Sequence, residues 1–294
     1  MNVNYWISED TRIKEDLRKV LNEFLYSMKL SCKGASTIYY YRLKLEKFLR
    51  DFGKSLSELT IDDVHTWLKE NARGKKEGTI NLIMSIISSF LIFCREEEYV
   101  NQVLVKRRWR PKKPQTTPRC LNYNELAKIK MVAEKSSLRN RLIIELLIST
   151  GCRCGEIRGL NVQDLDLKNR IAIVTGKGEK VRHVFFSEVC AHLLHKYLAV
   201  HPMGISALFI NHQKKRLTLC TIQNITKKLG EDAELDHRIS PHWFRHTYAT
   251  NLLSKGADIN YISEMLGHTN LKTTKIYTKV LLEDLIRSYR MYAG

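Results

Sequence analysis

The chain is poor in residues that interrupt regular structure. Glycine occurs 14 times and proline five times in 294 residues, which argues against fibrous and low-complexity classes. Cysteine lacks a paired pattern: the seven lie at positions 32, 94, 120, 152, 154, 190 and 220, an odd number with no CxxC. Zinc-ribbon spacing is therefore absent, and the thiols read as reduced and mostly buried in a cytosolic protein. Long apolar runs are also missing. The uncharged stretch Gly78–Cys94 has 17 residues, with Asn81, Ser85, Ser88 and Ser89 inside it. That is marginal for a membrane span and predicts a buried core helix. Residues 1–15 contain Glu9, Asp10 and Glu15 and no apolar run, so no signal peptide is expected.

What the chain does have is apolar bulk and positive charge. Hydrophobic residues make up 44% and aromatics 9%, enough to bury a core and to argue against a disordered chain. Lysine and arginine total 49 against 31 acidic residues, a net charge of +18. An acidic partner is expected, nucleic acid before an anionic membrane.

The charge is unevenly placed. Residues 1–104 hold 16 basic and 15 acidic side chains, residues 105–119 hold seven basic and none acidic, and residues 120–294 hold 26 and 16. Pro111, Pro114 and Pro118 fall in the middle stretch, where they remove backbone donors and disfavour helix. The sequence thus predicts a domain over 1–104, an extended basic linker over 105–119 and a second domain over 120–294. Lys106, Arg107, Arg108, Arg110, Lys112 and Lys113 of the linker are expected to meet nucleic-acid phosphates, a solvated linker being the alternative. Arg42 and Lys44, beside Tyr39, Tyr40 and Tyr41, are candidates for further backbone contacts, a solvated face being the alternative.

Apolar spacing predicts helices over Ile13–Met28, from Ser36 or Thr37 to about Phe52, after Thr60 as cap, and after Gly78. The second part is mixed. Leu138–Thr150 reads as an apolar helix stopped by Gly151. Ile171–Val174 and Val181–Phe186 flank a Gly-containing turn and read as a β-hairpin. Ser240-Pro241 opens a helix closed by Gly256, Asp258–Leu266 forms another ended by Gly267, and 281–292 carries a last apolar stripe.

Four segments look unlike plain core: Thr150-Gly-Cys-Arg153-Cys-Gly-Glu156, Thr175-Gly-Lys177-Gly-Glu-Lys-Val-Arg182, His242-Trp-Phe-Arg245-His246, and Leu266-Gly-His268 followed by Tyr277. Each alone has a plain reading. Arg153 can pair with Glu156, Lys177 can be a solvated turn lysine, and GKG is not a P-loop. His242 and His246 stand four apart, but Trp243 occupies the place where HExxH has its Glu, so no metal pair is expected. Together the segments fit one reaction. Arginine forks grip phosphodiester oxygens, histidines move protons, a lysine protonates a leaving oxygen, and a tyrosine hydroxyl attacks phosphorus.

In order and spacing these segments resemble the tyrosine site-specific recombinases, the phage integrase family, and in length its compact Xer-like members. The pattern TGxRxxE is met by Thr150, Gly151, Arg153 and Glu156, the GKGxKxR turn by Lys177, Lys180 and Arg182, HxxR by His242 and Arg245, and LGH by Leu266, Gly267 and His268, with Tyr277 nine residues on. The resemblance implies a mainly helical, C-shaped clamp of two domains, a helical core-binding domain and a mixed catalytic domain with a small sheet. It implies cleavage by Tyr277 to a 3′-phosphotyrosine, with Arg153 and Arg245 on the phosphate and Lys177 as general acid. His242 would assist proton transfer, His268 would hydrogen-bond the phosphate, and Glu156 would brace the arginines. No metal, ATP or other cofactor is implied. The implied partners are double-stranded DNA with specific sites, three further copies of the chain around a Holliday junction through a docking helix after Tyr277, and a possible second recombinase or accessory protein. A cytoplasmic, nucleoid-associated setting follows, with no membrane. A type IB topoisomerase-like enzyme, a non-catalytic helix-turn-helix protein and a metal-dependent nuclease are the competing readings.

Overall fold

The apolar stripes of the first hundred residues form four helices, α1 (Glu15–Leu30), α2 (Ala35–Phe52), α3 (Ile61–Ala72) and α4 (Glu77–Glu96). The structure is a computed structural model that describes residues 4–102, 105–112, 119–176 and 178–267. It divides into two units, Met1–Gln115 and Thr116–Gly294. Thr60 caps α3 as its position predicts: its hydroxyl accepts from the Asp63 N–H, and the Asp63 carboxylate accepts from the Thr60 N–H. The cap expected of Ser36 or Thr37 does not form. The α2 helix begins earlier, after Gly34, and has no side-chain cap.

The core of this unit joins Leu17, Leu21 and Leu25 of α1, Leu45 and Leu49 of α2, Val64 of α3, and Ile86, Ile87, Phe90 and Leu91 of α4. Each such buried side chain contributes on the order of 2 kcal/mol. The α4 helix is apolar and long enough to cross a membrane, yet it packs as a core helix, as its interspersed serines predict.

The extended linker expected from residue 105 is replaced at its start by packed chain. Arg107–Trp109 form one 3₁₀ turn. Trp109 packs against the core of the first unit and stacks on His65 with ring centroids 4.6 Å apart. Arg110 donates to Ser85 Oγ at 2.9 Å, and Asn81 Nδ2 donates to the Pro111 carbonyl at 2.9 Å. An apolar indole in the middle of a basic run overrides the preference of that run for solvent.

The second unit holds α5 (Tyr123–Glu134), α6 (Leu138–Thr150), α7 (Cys154–Gly159), β1 (Leu165–Asp166), β2 (Ile171–Thr175), β3 (Val181–Phe185), α8 (Glu188–Ala199), α9 (Leu219–Asp232), α10 (Pro241–Ser254) and α11 (Ile259–Leu266). The three strands form one antiparallel sheet in the order β1-β2-β3. Register pairs Ala172 with Val184 and Val174 with Arg182, so these four side chains face inward together. The α6 helix runs through the core with Leu142, Ile143, Ile144, Leu146 and Leu147 buried. Ala249 of α10 meets Ile262 and Leu266 of α11 in a separate small cluster. Pro241 opens α10 as expected, but Ser240 makes no side-chain cap. The molecule is thus mainly helical with a small sheet. The helix expected over 281–292 lies outside the described residues.

Candidate active site

The site grows from the end of α6. Gly151 adopts the left-handed conformation at φ 60°, which a side chain disfavours. A Cβ there would also lie 2.6 Å from the Tyr248 ring. The turn passes through buried Cys152 to Arg153, immediately before α7. Burial pushes the Cys152 thiol up to about 11, so it is an inert packing group beside the site.

Glu156, on the first turn of α7, is the hub. Its side chain is 2% exposed. One carboxylate oxygen accepts from the Arg153 N–H at 2.7 Å and from Arg182 Nη2 at 2.7 Å; the other accepts from Arg153 Nη1 at 2.9 Å. A carboxylate this deep is costly to bury unless it is paired, and two guanidinium groups pair with it here.

Three arginines then meet the end of α11, whose last carbonyls have no helical partner. Arg182 Nη1 donates to the Met265 carbonyl at 2.7 Å. Arg245, buried on α10, donates to the Leu266 carbonyl at 2.6 Å and to the Gly151 carbonyl at 2.9 Å. Arg153 donates to the Leu266 carbonyl at 3.4 Å and to the Gly267 carbonyl at 3.3 Å. The negative end of the helix dipole draws the cations together. Among the described residues, three guanidinium groups meet one carboxylate, an excess of positive charge that suits an anion.

His242 stands one residue inside the N-terminus of α10, with its side chain open to solvent on one side. Its partial burial, and then the charges of Arg245 and Arg153, hold its pKa below the ordinary histidine value. Burial pushes His246 down to about 4, with His242 and Arg245 adding to the effect. Both rings are therefore neutral near pH 7, and a neutral imidazole can accept a proton.

Of the residues expected from sequence, Arg153, Glu156, His242 and Arg245 come together. Lys177, His268, Tyr277 and Lys113 lie outside the described residues. The chain on either side of Lys177 is placed. The Gly176 N–H donates to the Lys180 carbonyl at 2.7 Å, and a Cβ on Gly176 would lie 3.2 Å from the Glu156 carboxylate. The hairpin turn thus begins against the Glu156–Arg153 pair. Among the other expected DNA-binding residues, Arg107, Arg108 and Lys112 are exposed and Lys106 partly so. Lys44 holds its ammonium 5.2 Å from the centre of the Tyr40 ring. Arg42 and Arg110 also make bonds within the chain: Arg42 donates to the carbonyls of Asn4 and Ile7 at 3.0 and 2.5 Å, and Arg110 ties onto α4. Arg42 therefore pins the N-terminal segment to α2, a link between distant parts of the sequence that helical spacing alone does not show.

The sequence places Arg182 at the end of the GKGxKxR turn and gives it no role of its own; the structure brings it into the site. The signal is present in the strand alternation, since Arg182 shares the inward face with Val184. A charged residue at an inward strand position needs a buried partner.

Residues 119–283 match the phage integrase family, and residues 21–98 match the N-terminal SAM-like domain of phage integrase. The chain belongs to the phage integrase family. It is a site-specific recombinase, an enzyme that cuts and rejoins DNA. It is 36% identical to tyrosine recombinase XerD of Oceanobacillus iheyensis, covering 93% of this chain and 98% of the relative. It is 32% identical to tyrosine recombinase XerA of Pyrococcus furiosus, covering 91% of each chain. In fold it is similar to XerH site-specific recombinase in a post-cleavage complex with a palindromic difH substrate, at TM-score 0.77 and 23% identity over 98% of this chain and 92% of that one. It is also similar to a lambda integrase tetramer bound to a Holliday junction, at TM-score 0.71 and 18% identity over 88% and 80% of the two chains.

Proposed function

We propose that this recombinase breaks DNA with Tyr277 as nucleophile, inside a phosphate site built by Arg153 and Arg245. The observation that carries this reading is the convergence of those two guanidinium groups on the Leu266 carbonyl, directly before the segment that contains His268 and Tyr277. The Tyr277 phenol oxygen forms a bond to phosphorus as the bond from phosphorus to the 5′-oxygen breaks. The phenolic proton passes to His242, a ring that its depressed pKa keeps neutral and so with a free lone pair. The 5′-oxygen takes a proton from Lys177 and leaves as a hydroxyl. Arg153, Arg245 and His268 hold the non-bridging oxygens, where charge builds in the transition state. Glu156 braces the arginines. The 3′-phosphotyrosine keeps the bond energy, so rejoining needs no ATP.

In this reading residues 1–104 bind the core DNA site and residues 120–294 carry the chemistry. Lys106, Arg107, Arg108, Lys112, Lys113 and Lys44 bind further phosphates, and the stretch after Tyr277 docks on a neighbouring copy. Four copies join two sites through a Holliday junction, in the cytoplasm at the nucleoid. The solved lambda integrase tetramer on a Holliday junction supports that assembly by similarity of fold.

The test uses a duplex that the full-length protein selects from a random-sequence DNA pool. Two copies on one plasmid are incubated with protein in EDTA. Deletion or inversion between the sites is expected. Relaxation of supercoils with no exchange would instead identify a topoisomerase-like enzyme.

A further inference from the structure

We infer that Arg182 is a positioning residue for DNA cleavage, fixing the end of α11 from which the nucleophile-bearing segment departs. The inference rests on the reading of Tyr277 as the attacking group. One guanidinium group joins three elements here. Arg182 itself belongs to β3, and its two terminal nitrogens reach Glu156 on α7 and the Met265 carbonyl on α11, each at 2.7 Å. Its side chain is 14% exposed, so both bonds are shielded from water and correspondingly strong.

The α11 end is also fitted to this side chain by shape. Gly267 ends the helix in the left-handed conformation at φ 63°, and a Cβ there would lie 2.9 Å from both Cδ and Nε of Arg182. Gly267 immediately precedes His268, and Tyr277 follows ten residues after Gly267. Arg182 and Gly267 therefore touch at the last described residue before that segment. Arg153 and Arg245 also hold the α11 carbonyls, but phosphate competes for their donors. The Arg182–Met265 bond holds the helix end while the other two grip the DNA. Lysine replaces this fork only in part, because a compact ammonium on a flexible stem lacks the two fixed, divergent donors of a planar guanidinium.

The experiment measures single-turnover adduct formation on nicked duplexes of the selected sequence, using wild type, Arg182→Gln, Arg182→Lys, Gly267→Ala and Lys177→Ala. Each duplex is made with oxygen or with sulfur at the 5′-bridging position of the scissile phosphate. Sulfur leaves without needing a proton, so it restores a variant that lacks only the general acid. Arg182→Gln is expected to bind the duplex as wild type does and to form adduct about 100-fold more slowly, the cost of a small misplacement of a reacting group. Sulfur is expected to restore Lys177→Ala but not Arg182→Gln, and Arg182→Lys to recover part of the rate. Gly267→Ala presses on the same side chain while keeping every charge. It is expected to behave like Arg182→Gln, and it decides the question with Arg182→Lys if Arg182→Gln does not fold. A normal rate in Arg182→Gln, its rescue by sulfur, or equal loss of binding and cleavage overturns the inference. A wild-type protein that gives no Tyr277-dependent adduct overturns the nucleophile reading, and this inference with it.

Discussion

Arg153 and Arg245 share one acceptor: both donate to the Leu266 carbonyl oxygen, at 3.4 and 2.6 Å. Two like charges are thereby held side by side, with Glu156 bonded to Arg153 and to Arg182. In the proposed function these two groups are already side by side where the phosphate would sit. Arg245→Lys keeps the charge and loses the fork. It is expected to cut DNA about 100-fold more slowly or worse while binding the same duplex. Single-turnover cleavage and a gel-shift titration on one substrate measure the two effects.

Glu156 is the only carboxylate that Arg153 and Arg182 pair with among the described residues. Glu156→Gln leaves two guanidinium groups around a neutral amide, and breaking a buried pair from one side costs about 3 kcal/mol. Urea unfolding is expected to show a loss of that size, with weaker cleavage alongside it. An unchanged midpoint would mean that the arginines find other partners.

The imidazole of His246 carries a pH signature. Its folded pKa falls to about 4 from an ordinary 6.5, so on acidification the unfolded chain takes up the proton first. The folded protein therefore loses stability as pH falls from about 6.5 to 4 and recovers it as pH rises. His246→Gln is expected to flatten the slope of stability against pH across that window, as followed by thermal unfolding at a series of pH values. A slope unchanged in the variant would assign the effect to another group.

The basic stretch makes two separable predictions. Trp109→Ala removes the stack on His65 and is expected to speed trypsin cleavage after Arg107 and Arg108 while destabilising the N-terminal unit by about 1–2 kcal/mol. Arg107→Ala with Arg108→Ala touches little in the fold. It is expected to lower the slope of log affinity against log salt by about 0.9 for each phosphate that the variant no longer neutralises. Equal slopes in the double variant and wild type would remove these two residues from the DNA interface.

Much of the fold is readable because its signals are local. The Thr60 cap, the Gly151 and Gly267 stops and the β2–β3 hairpin each depend on a few adjacent residues. β1 is not readable: two residues carry no periodicity, and only pairing with β2 makes them a strand. The helices α5, α7, α8 and α9 draw no expectation, and α7 has six residues, too few for an apolar stripe. The packed start of the basic stretch escapes for a different reason. Charge and proline point to solvent, while Trp109 has its partner, His65, forty-four positions earlier.

The candidate site is legible as a set of residue types and spacings, and the fold places Arg153, Glu156, His242 and Arg245 near one another. Its internal wiring is not. Nothing in the spacing tells that Glu156 serves Arg182 as well as Arg153, or that the α11 carbonyls gather the arginines. Those relations join residues about 20 to 115 positions apart, and only the packed second unit brings them together.

The most direct test of the central claim is covalent trapping. Wild type and Tyr277→Phe are incubated in EDTA with a nicked duplex of the selected sequence and run on a denaturing gel. The account predicts a protein–DNA adduct in wild type that is absent from Tyr277→Phe. An adduct that persists in Tyr277→Phe would contradict it and move the nucleophile to another tyrosine, with Tyr289 and Tyr292 the first to examine.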